Sequence, residues 1–330
     1  MEKRARVISQ EKDLYRIFDG ENEKIAVVSG KYRYETIRVS DYPAVGDYVI
    51  ATWPEGEGNA VINALFPRKT CFIRKAAGSK REEQVVASNI DTVFICMSLN
   101  SNFNLHRLER YITFTYSSGA IPVVVLTKAD LCSDVEGKIA EVMSVAIGID
   151  TIAVSSIEDD YSAILKYITK GKTIDFLGSS GVGKSTLINK LLGYDYNATG
   201  EIGDGDKGRH TTTRRELIQL DNGACLIDTP GMREVGLWND EEGIESSFGD
   251  IEALSSLCLF SDCSHTTEPG CAVQKAILEG KLDKERYNSF MKLKKENLYF
   301  SESKDFLNEK KTKFKSISKI NKASKKYPKY

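Results

Sequence analysis

Apolar positions along this chain change their spacing twice, and each change marks a different architecture. Up to about residue 70 they come in short β-branched or aromatic runs, at 5–8, 14–18, 25–29, 34–39, 47–52 and 58–65. Turn residues separate the runs: Asp19-Gly20, Ser29-Gly30, Pro43, Gly46-Asp47, and the stretch from Pro54 to Gly58. Short runs punctuated in this way predict five or six strands. Such a set makes a small all-β barrel of the oligonucleotide-binding (OB) type, and an SH3-like barrel would give the same pattern.

A basic stretch at 68–81 reads as a linker. Beyond it, near-continuous apolar runs at 91–98, 121–126, 151–154 and 173–177 alternate with helical spacings at 105–117, 134–147, 161–168 and 185–192. Runs at 215–220 and 224–227 follow as a strand pair. Strands that are apolar throughout belong to a sheet covered by helices on both faces, an α/β fold. After about Leu237 the pattern becomes helical around a group of cysteines and continues through a helix at 283–299. The expected domains are therefore a small barrel of OB type or SH3-like at 1–70, an α/β domain at 71–238, and a mostly helical domain at 239–330.

Length and composition agree with this division. A chain of 330 residues has room for two or three domains, and 41% apolar with 28% charged residues is ordinary for packed globular domains. No apolar run approaches the ~18 residues of a membrane span. The expectation is a soluble, cytoplasmic, monomeric protein with no membrane partner. Seven cysteines, four of them scattered, do not suggest a disulfide framework. Residues 303–330 hold ten Lys against Asp305 and Glu309, a net +8, which leaves the remaining chain at −9 for an overall −1. A basic tail on an acidic body suits a polyanionic partner or is a solvated end. On the barrel, Lys31, Arg33 and Arg38 with Tyr32, Tyr34 and Tyr42 could offer cations and stacking faces to RNA, or simply cover a solvated face.

The chemistry lies in three motifs. Gly178-Ser179-Ser180-Gly181-Val182-Gly183-Lys184-Ser185-Thr186, between a predicted strand and helix, is a phosphate-binding loop. Its glycines let backbone N–H groups close round a phosphate at a helix N-terminus. Lys184 is placed to neutralise the β- and γ-phosphates, and Ser185 to ligate Mg²⁺. Asp228-Thr229-Pro230-Gly231 ends a later strand, with Asp228 placed to hold Mg²⁺ and the Gly231 N–H to sense the γ-phosphate. Thr127-Lys128-Ala129-Asp130 ends another strand. The Asp130 carboxylate can accept from guanine N1–H and N2–H₂ together, which selects GTP over ATP. The first residue of such a motif is usually Asn; Thr127 offers a hydroxyl for a local bond and lacks the amide's reach to the base. Ser155-Ser156, after the next strand, is suited to backbone contacts with guanine O6.

These elements stand in an unusual order, because the guanine motif precedes the phosphate loop by roughly 50 residues. Ordinary GTPases carry it after the γ-phosphate sensor, so this order denotes a circular permutation. Between loop and sensor, Gly208-Arg209-His210-Thr211-Thr212-Thr213 has the composition of a segment that orders on γ-phosphate and Mg²⁺. Thr213, then Thr212, is the expected Mg²⁺ ligand. Met232 follows the sensor where a water-orienting Gln is common, and Met cannot orient water. His210 can do so or deprotonate it.

Farther on, Cys258-x₄-Cys263-x-His265-x₅-Cys271 supplies three thiolates and an imidazole. That set closes a tetrahedral structural Zn²⁺ site with no position left for catalysis.

Together these residues resemble the bacterial ribosome small-subunit-dependent GTPase A family, over nearly the whole chain. The resemblance rests on the barrel, the permuted motif order, Gly208-Arg209-His210-Thr211-Thr212-Thr213, Asp228-Thr229-Pro230-Gly231 and the Cys/Cys/His/Cys order. It implies an OB barrel, a permuted GTPase and a zinc domain. It further implies binding to the small (30S) ribosomal subunit and its 16S rRNA late in assembly, with GTP hydrolysis stimulated by the subunit. His210 takes the family's catalytic position, and Cys258, Cys263, His265 and Cys271 its zinc positions. The alternative is an RNA-binding assembly chaperone in which GTP only fixes conformation.

Overall fold

The computed structural model describes residues 1–75, 83–155, 161–195, 215–228, 241–295 and 297. Five strands come first: β1 (Glu2–Glu11), β2 (Leu14–Phe18), β3 (Glu23–Val28), β4 (Tyr48–Thr52) and β5 (Ala60–Leu65). They run β1-β2-β3-β5-β4 and return to β1. β1 makes the closure possible by being long. Its first half, Glu2 to Arg6, pairs with β4, and its second half, Arg6 to Glu11, pairs with β2 across a bulge between Val7 and Ser9. The β3–β5 pair is parallel and the rest antiparallel, the closed Greek-key path of an OB fold. Ala5, Val7, Tyr15, Ile17, Val49 and Ile62 fill the barrel.

One expected strand is absent. Within 34–39 the chain instead leaves helix α1 (Gly30–Glu35) and enters a 3₁₀ turn at Val39–Asp41. The Ser29 hydroxyl accepts from Tyr32 N (3.1 Å) and caps the helix, which overrides the aromatic preference for strand. Tyr32 and Tyr42 pack edge to face beside the barrel core, whereas Tyr34 stays 78% exposed.

The expected linker is also partly structured. β6 (Cys71–Lys75) and β7 (Glu83–Ser88) form an antiparallel hairpin. Lys and Arg around it mask a buried Phe72, which packs on Phe114 with ring centroids 5.3 Å apart.

The α/β sheet is ordered β10-β9-β8-β11-β13-β12. Its members are β8 (Thr92–Ser98), β9 (Ile121–Thr127), β10 (Thr151–Ala153), β11 (Thr173–Leu177), β12 (Glu216–Gln219) and β13 (Cys225–Asp228). All pairs are parallel except the β12–β13 hairpin. Side chains of β8 alternate between two cores. Val93, Ile95 and Met97 join the face covered by α2 (Leu105–Ser117) and α3 (Val135–Val145). Phe94 and Cys96 join the face covered by α4 (Ser162–Leu165) and α5 (Lys184–Leu192). The C-terminal ends of β8, β9, β10, β11 and β13 therefore gather at one edge, where open parallel sheets bind ligands.

Four helices follow among the described residues: α6 (Glu241–Ser247), α7 (Gly249–Ser255), α8 (Ala272–Leu278) and α9, residues 284–295. Their core is not separate. Ile244, Phe248, Ile251, Val273 and Phe290 belong to the same buried cluster as Leu108 and Ile112 of α2. Arg286 fastens the seat: its guanidinium meets Glu109 of α2 at 2.8 Å and Asp250 of α7 at 2.7 Å, with Arg286 and Glu109 both deeply buried. No helix among the described residues is long and apolar enough to cross a membrane. The Lys-rich stretch at 303–330 lies outside the described residues.

Gly243 lets α6 sit directly on α2. A Cβ there would lie 2.1 Å from Ser117 Oγ and 2.9 Å from the Thr113 carbonyl oxygen. Gly243→Ala is expected to destabilise the chain by about 1–3 kcal/mol in urea unfolding. Adding Ser117→Ala should restore only part of that, because the Thr113 clash is with backbone.

Candidate functional site

The phosphate loop connects β11 to α5. All five residues of β11 are buried, so the loop starts from a fixed point. A Cβ on Gly178 would lie 2.4 Å from the Cys96 carbonyl oxygen, so only glycine permits the loop to pass this close to β8. Cys96 is buried below, and burial pushes its thiol up to about 12, which keeps it neutral. Val182 anchors the far side of the loop in the core. Ser180, Gly181, Ser185 and Thr186 are exposed along the rim. The Lys184 ammonium donates to the carbonyls of Gly178 (2.6 Å) and Ser179 (2.7 Å), arching across the loop. On neighbouring β13, burial raises the Asp228 carboxyl above the usual carboxylate range, and the Lys184 charge opposes that rise.

The guanine motif meets this loop directly. Thr127 ends β9 and is buried, and its hydroxyl donates to the Val182 carbonyl at 2.5 Å. The sequence suggests a local bond for this hydroxyl; the partner instead lies 55 residues away, because β9 and β11 flank β8 and converge at the same edge. Lys128 has a left-handed backbone (φ 58°), and its ammonium donates to the Gly181 carbonyl at 2.9 Å. The next turn keeps Ala129 N against the Val154 carbonyl (3.2 Å). It leaves Asp130 exposed, with one oxygen accepting from the Ser155 hydroxyl at 2.9 Å. Permutation in sequence thus coexists with one continuous rim: Asp130 and Ser155, then Thr127 and Lys128, then the loop and Asp228.

Asn102, in the loop between β8 and α2, is a neighbour the motifs do not reveal; its side-chain amide donates to Ser179 Oγ at 3.3 Å. Its position after a buried parallel strand is the signal that could have found it. Ser156, His210, Thr211, Thr212, Thr213 and Gly231 lie outside the described residues.

The second constellation is a candidate metal centre. Cys258 follows α7, Cys263 and His265 lie in the intervening loop, and Cys271 caps α8, its sulfur accepting from Gln274 N at 3.4 Å. The four ligand atoms lie within 4.8 Å of one another. Tetrahedral bonds of about 2.3 Å to sulfur and 2.0 Å to nitrogen require edges of roughly 3.8 Å between sulfurs and roughly 3.5 Å from sulfur to nitrogen. Cys258 and Cys271 sulfurs are 3.9 Å apart, and each is 3.5 Å from His265 Nδ1. The donor set fits one metal ion held through Nδ1. The other ring nitrogen, Nε2, faces Ser255 Oγ at 3.0 Å, an outer contact that fixes the ring. The Tyr287 hydroxyl (2.9 Å) and the Gln274 amide (2.5 Å) hold the His265 carbonyl, and the residue takes a left-handed φ of 59°.

The sequence profile of the RsgA GTPase family matches residues 65–238. Small ribosomal subunit biogenesis GTPase RsgA 2 of Lactiplantibacillus plantarum is 47% identical over 297 residues, 89% of this chain and 83% of that protein. Small ribosomal subunit biogenesis GTPase RsgA 1 of Oceanobacillus iheyensis is 41% identical over 319 residues, 95% and 91% of the two chains. Among solved structures, YjeQ from Thermotoga maritima superposes with a TM-score of 0.65 at 27% identity, covering 90% of this chain and 99% of that one. YloQ, described as a circularly permuted GTPase, gives 0.64 at 25% identity, covering 92% and 96%.

Proposed function

We propose, for a chain that belongs to the RsgA GTPase family, that it binds the small ribosomal subunit through 16S rRNA and hydrolyses GTP to leave it late in maturation. The observation that carries the nucleotide reading is the Thr127–Val182 bond, which joins a guanine-reading strand to a phosphate loop. The partner follows from the names of relatives aligned along most of their length. The cytoplasm is the compartment that goes with that partner.

In this reading the loop from Gly178 to Thr186 surrounds the phosphates with backbone N–H groups, and the α5 N-terminus adds its partial positive charge. Lys184 turns from the carbonyls of Gly178 and Ser179 to the β- and γ-phosphates. Asp130 takes the guanine N1–H and N2–H₂, while Ser155 holds its other side. Lys128 lies along the base. Ser185, Thr213 and Asp228 hold Mg²⁺, which when bound neutralises charge on the phosphates. His210 orients the attacking water, and the Gly231 N–H senses the γ-phosphate. Zn²⁺ is the ion assigned to Cys258, Cys263, His265 and Cys271. It is structural, because four protein ligands leave no open position.

The Thr127 bond carries its own prediction. Thr127→Val keeps the shape and leaves the Val182 carbonyl without its partner, so the Kd for GDP is expected to rise on the order of tenfold. Titration with a fluorescent GDP checks this.

The function itself is tested by GTP hydrolysis with purified small subunits, with large subunits as control. Stimulation by small subunits alone is expected; equal rates with either subunit would overturn the partner. His210→Ala should lower the stimulated rate about a hundredfold and trap the protein on the subunit. Unaltered release would instead favour a chaperone for which turnover is incidental.

A further inference from the structure

The contact between Asn102 and the phosphate loop belongs to no recognised motif, yet it is built with care. Asn100 closes the turn that presents it, its side-chain oxygen accepting from Ser98 Oγ (2.9 Å) and from Asn102 N (3.0 Å). Asn104 then caps α2, accepting from Arg107 N at 2.8 Å. The Arg107 guanidinium reaches back to Asn102, donating to its backbone carbonyl and, at 2.9 Å, to its side-chain oxygen. A guanidinium has no acceptor, so it fixes which end of the amide is oxygen and directs the NH₂ toward Ser179 Oγ. On its other side, the Ser179 carbonyl accepts from Lys184. Ser179 is therefore held between the loop's own cation and a side chain from a different strand–helix connection. The platform behind Asn102 is stiff, because α2 is buried along one face and pinned to α7 and α9 through Glu109 and Arg286.

We infer that Asn102 is a positioning residue for the phosphate-binding loop, aimed by Arg107 at Ser179 so that the loop's N–H groups stay directed at the phosphates. The inference rests on reading this loop as the nucleotide site. Holding Ser179 keeps the loop in its binding shape without touching nucleotide, so the contact acts mainly on how long nucleotide stays bound. A loop that loses this grip must be ordered by the nucleotide itself, which weakens binding.

The test is a double-mutant cycle on the full-length, metal-loaded chain, with GDP carrying a fluorescent label on its ribose. Asn102→Ala and Ser179→Ala are each expected to speed label release about five- to tenfold, the size of one net hydrogen bond. The double variant should release no faster than the faster single, because both remove the same contact. Arg107→Ala, which leaves Asn102 in place but unaimed, should reproduce part of the effect. Thermal unfolding without nucleotide should be the same for Asn102→Ala as for the parent, a readout that a merely structural role would move. Additive effects in the cycle, or release unchanged in Asn102→Ala, would overturn the inference while the GTPase reading stands. Failure of the parent chain to bind labelled GDP would overturn both.

Discussion

Lys184→Ala is expected to lower GTP turnover by about two to three orders of magnitude while the chain stays folded. The size is that of removing one charge-stabilising donor from a transition state in which negative charge spreads over the γ-phosphoryl oxygens. The fold should survive because the Lys184 ammonium donates to loop carbonyls at an accessible rim and packs no core. Alanine at the first position of α5 is also an excellent helix former. Loss of the cation removes what opposes the burial-driven rise at Asp228, so that carboxyl should titrate higher still. Single-turnover hydrolysis at saturating GTP separates this from weaker binding. A variant that keeps more than about a tenth of parental turnover would take Lys184 out of the chemistry.

The other large effect concerns the metal. Cys271→Ser is expected to empty the C-terminal site and unfold the loop from Cys258 to Cys271, with α8 released from its place. Serine is a good helix cap and can replace the sulfur that accepts from Gln274 N, so the substitution isolates ligation from capping. The stabilisation at risk is large, since structural Zn²⁺ binding contributes on the order of 10 kcal/mol to small domains. Metal content per chain by elemental analysis should fall from one equivalent to near none, and protease should then cut within the C-terminal helices. Basal nucleotide binding should persist, because the phosphate loop and guanine motif hang on the parallel sheet. Binding to the small subunit should be lost. A variant that keeps its metal and resists protease would show that three ligands suffice and that the local helix packing carries the fold. Loss of nucleotide binding in the same variant would overturn that independence and show that α2 depends on the C-terminal helices for its position, since Glu109 and Arg286 join the two.

Much of this architecture is legible in the order of the amino acids. The strands at 14–18 and 173–177 have the bounds that their apolar runs suggest, and α2 spans 105–117 as its helical spacing does. Buried parallel strands must be apolar throughout, and a helix over a sheet must be apolar on one face, so each leaves a local pattern. The errors have local causes too. Tyr34 to Val39 has strand-like composition, but the Ser29 cap makes the chain turn into a helix first. The hairpin of β6 and β7 hides because its first strand sits among Lys and Arg, although Phe72 of that strand and Val85, Val86 and Ala87 of the next are buried.

The same division holds for the chemistry. Phosphate, guanine and a tetrahedral metal each demand fixed residue types at short range. Sequence by itself therefore proposes the loop at Gly178–Thr186, the motif at Thr127–Asp130 and the metal-binding set Cys258, Cys263, His265 and Cys271. Only the tertiary structure decided how they meet. Thr127 bonds to Val182, Asn102 to Ser179 and Glu109 to Arg286, pairs separated by 55, 77 and 177 residues. Such contacts depend on which strands lie side by side and which helices share a core. That is set by burying apolar surface over the whole sheet, and nothing in the short-range pattern records it.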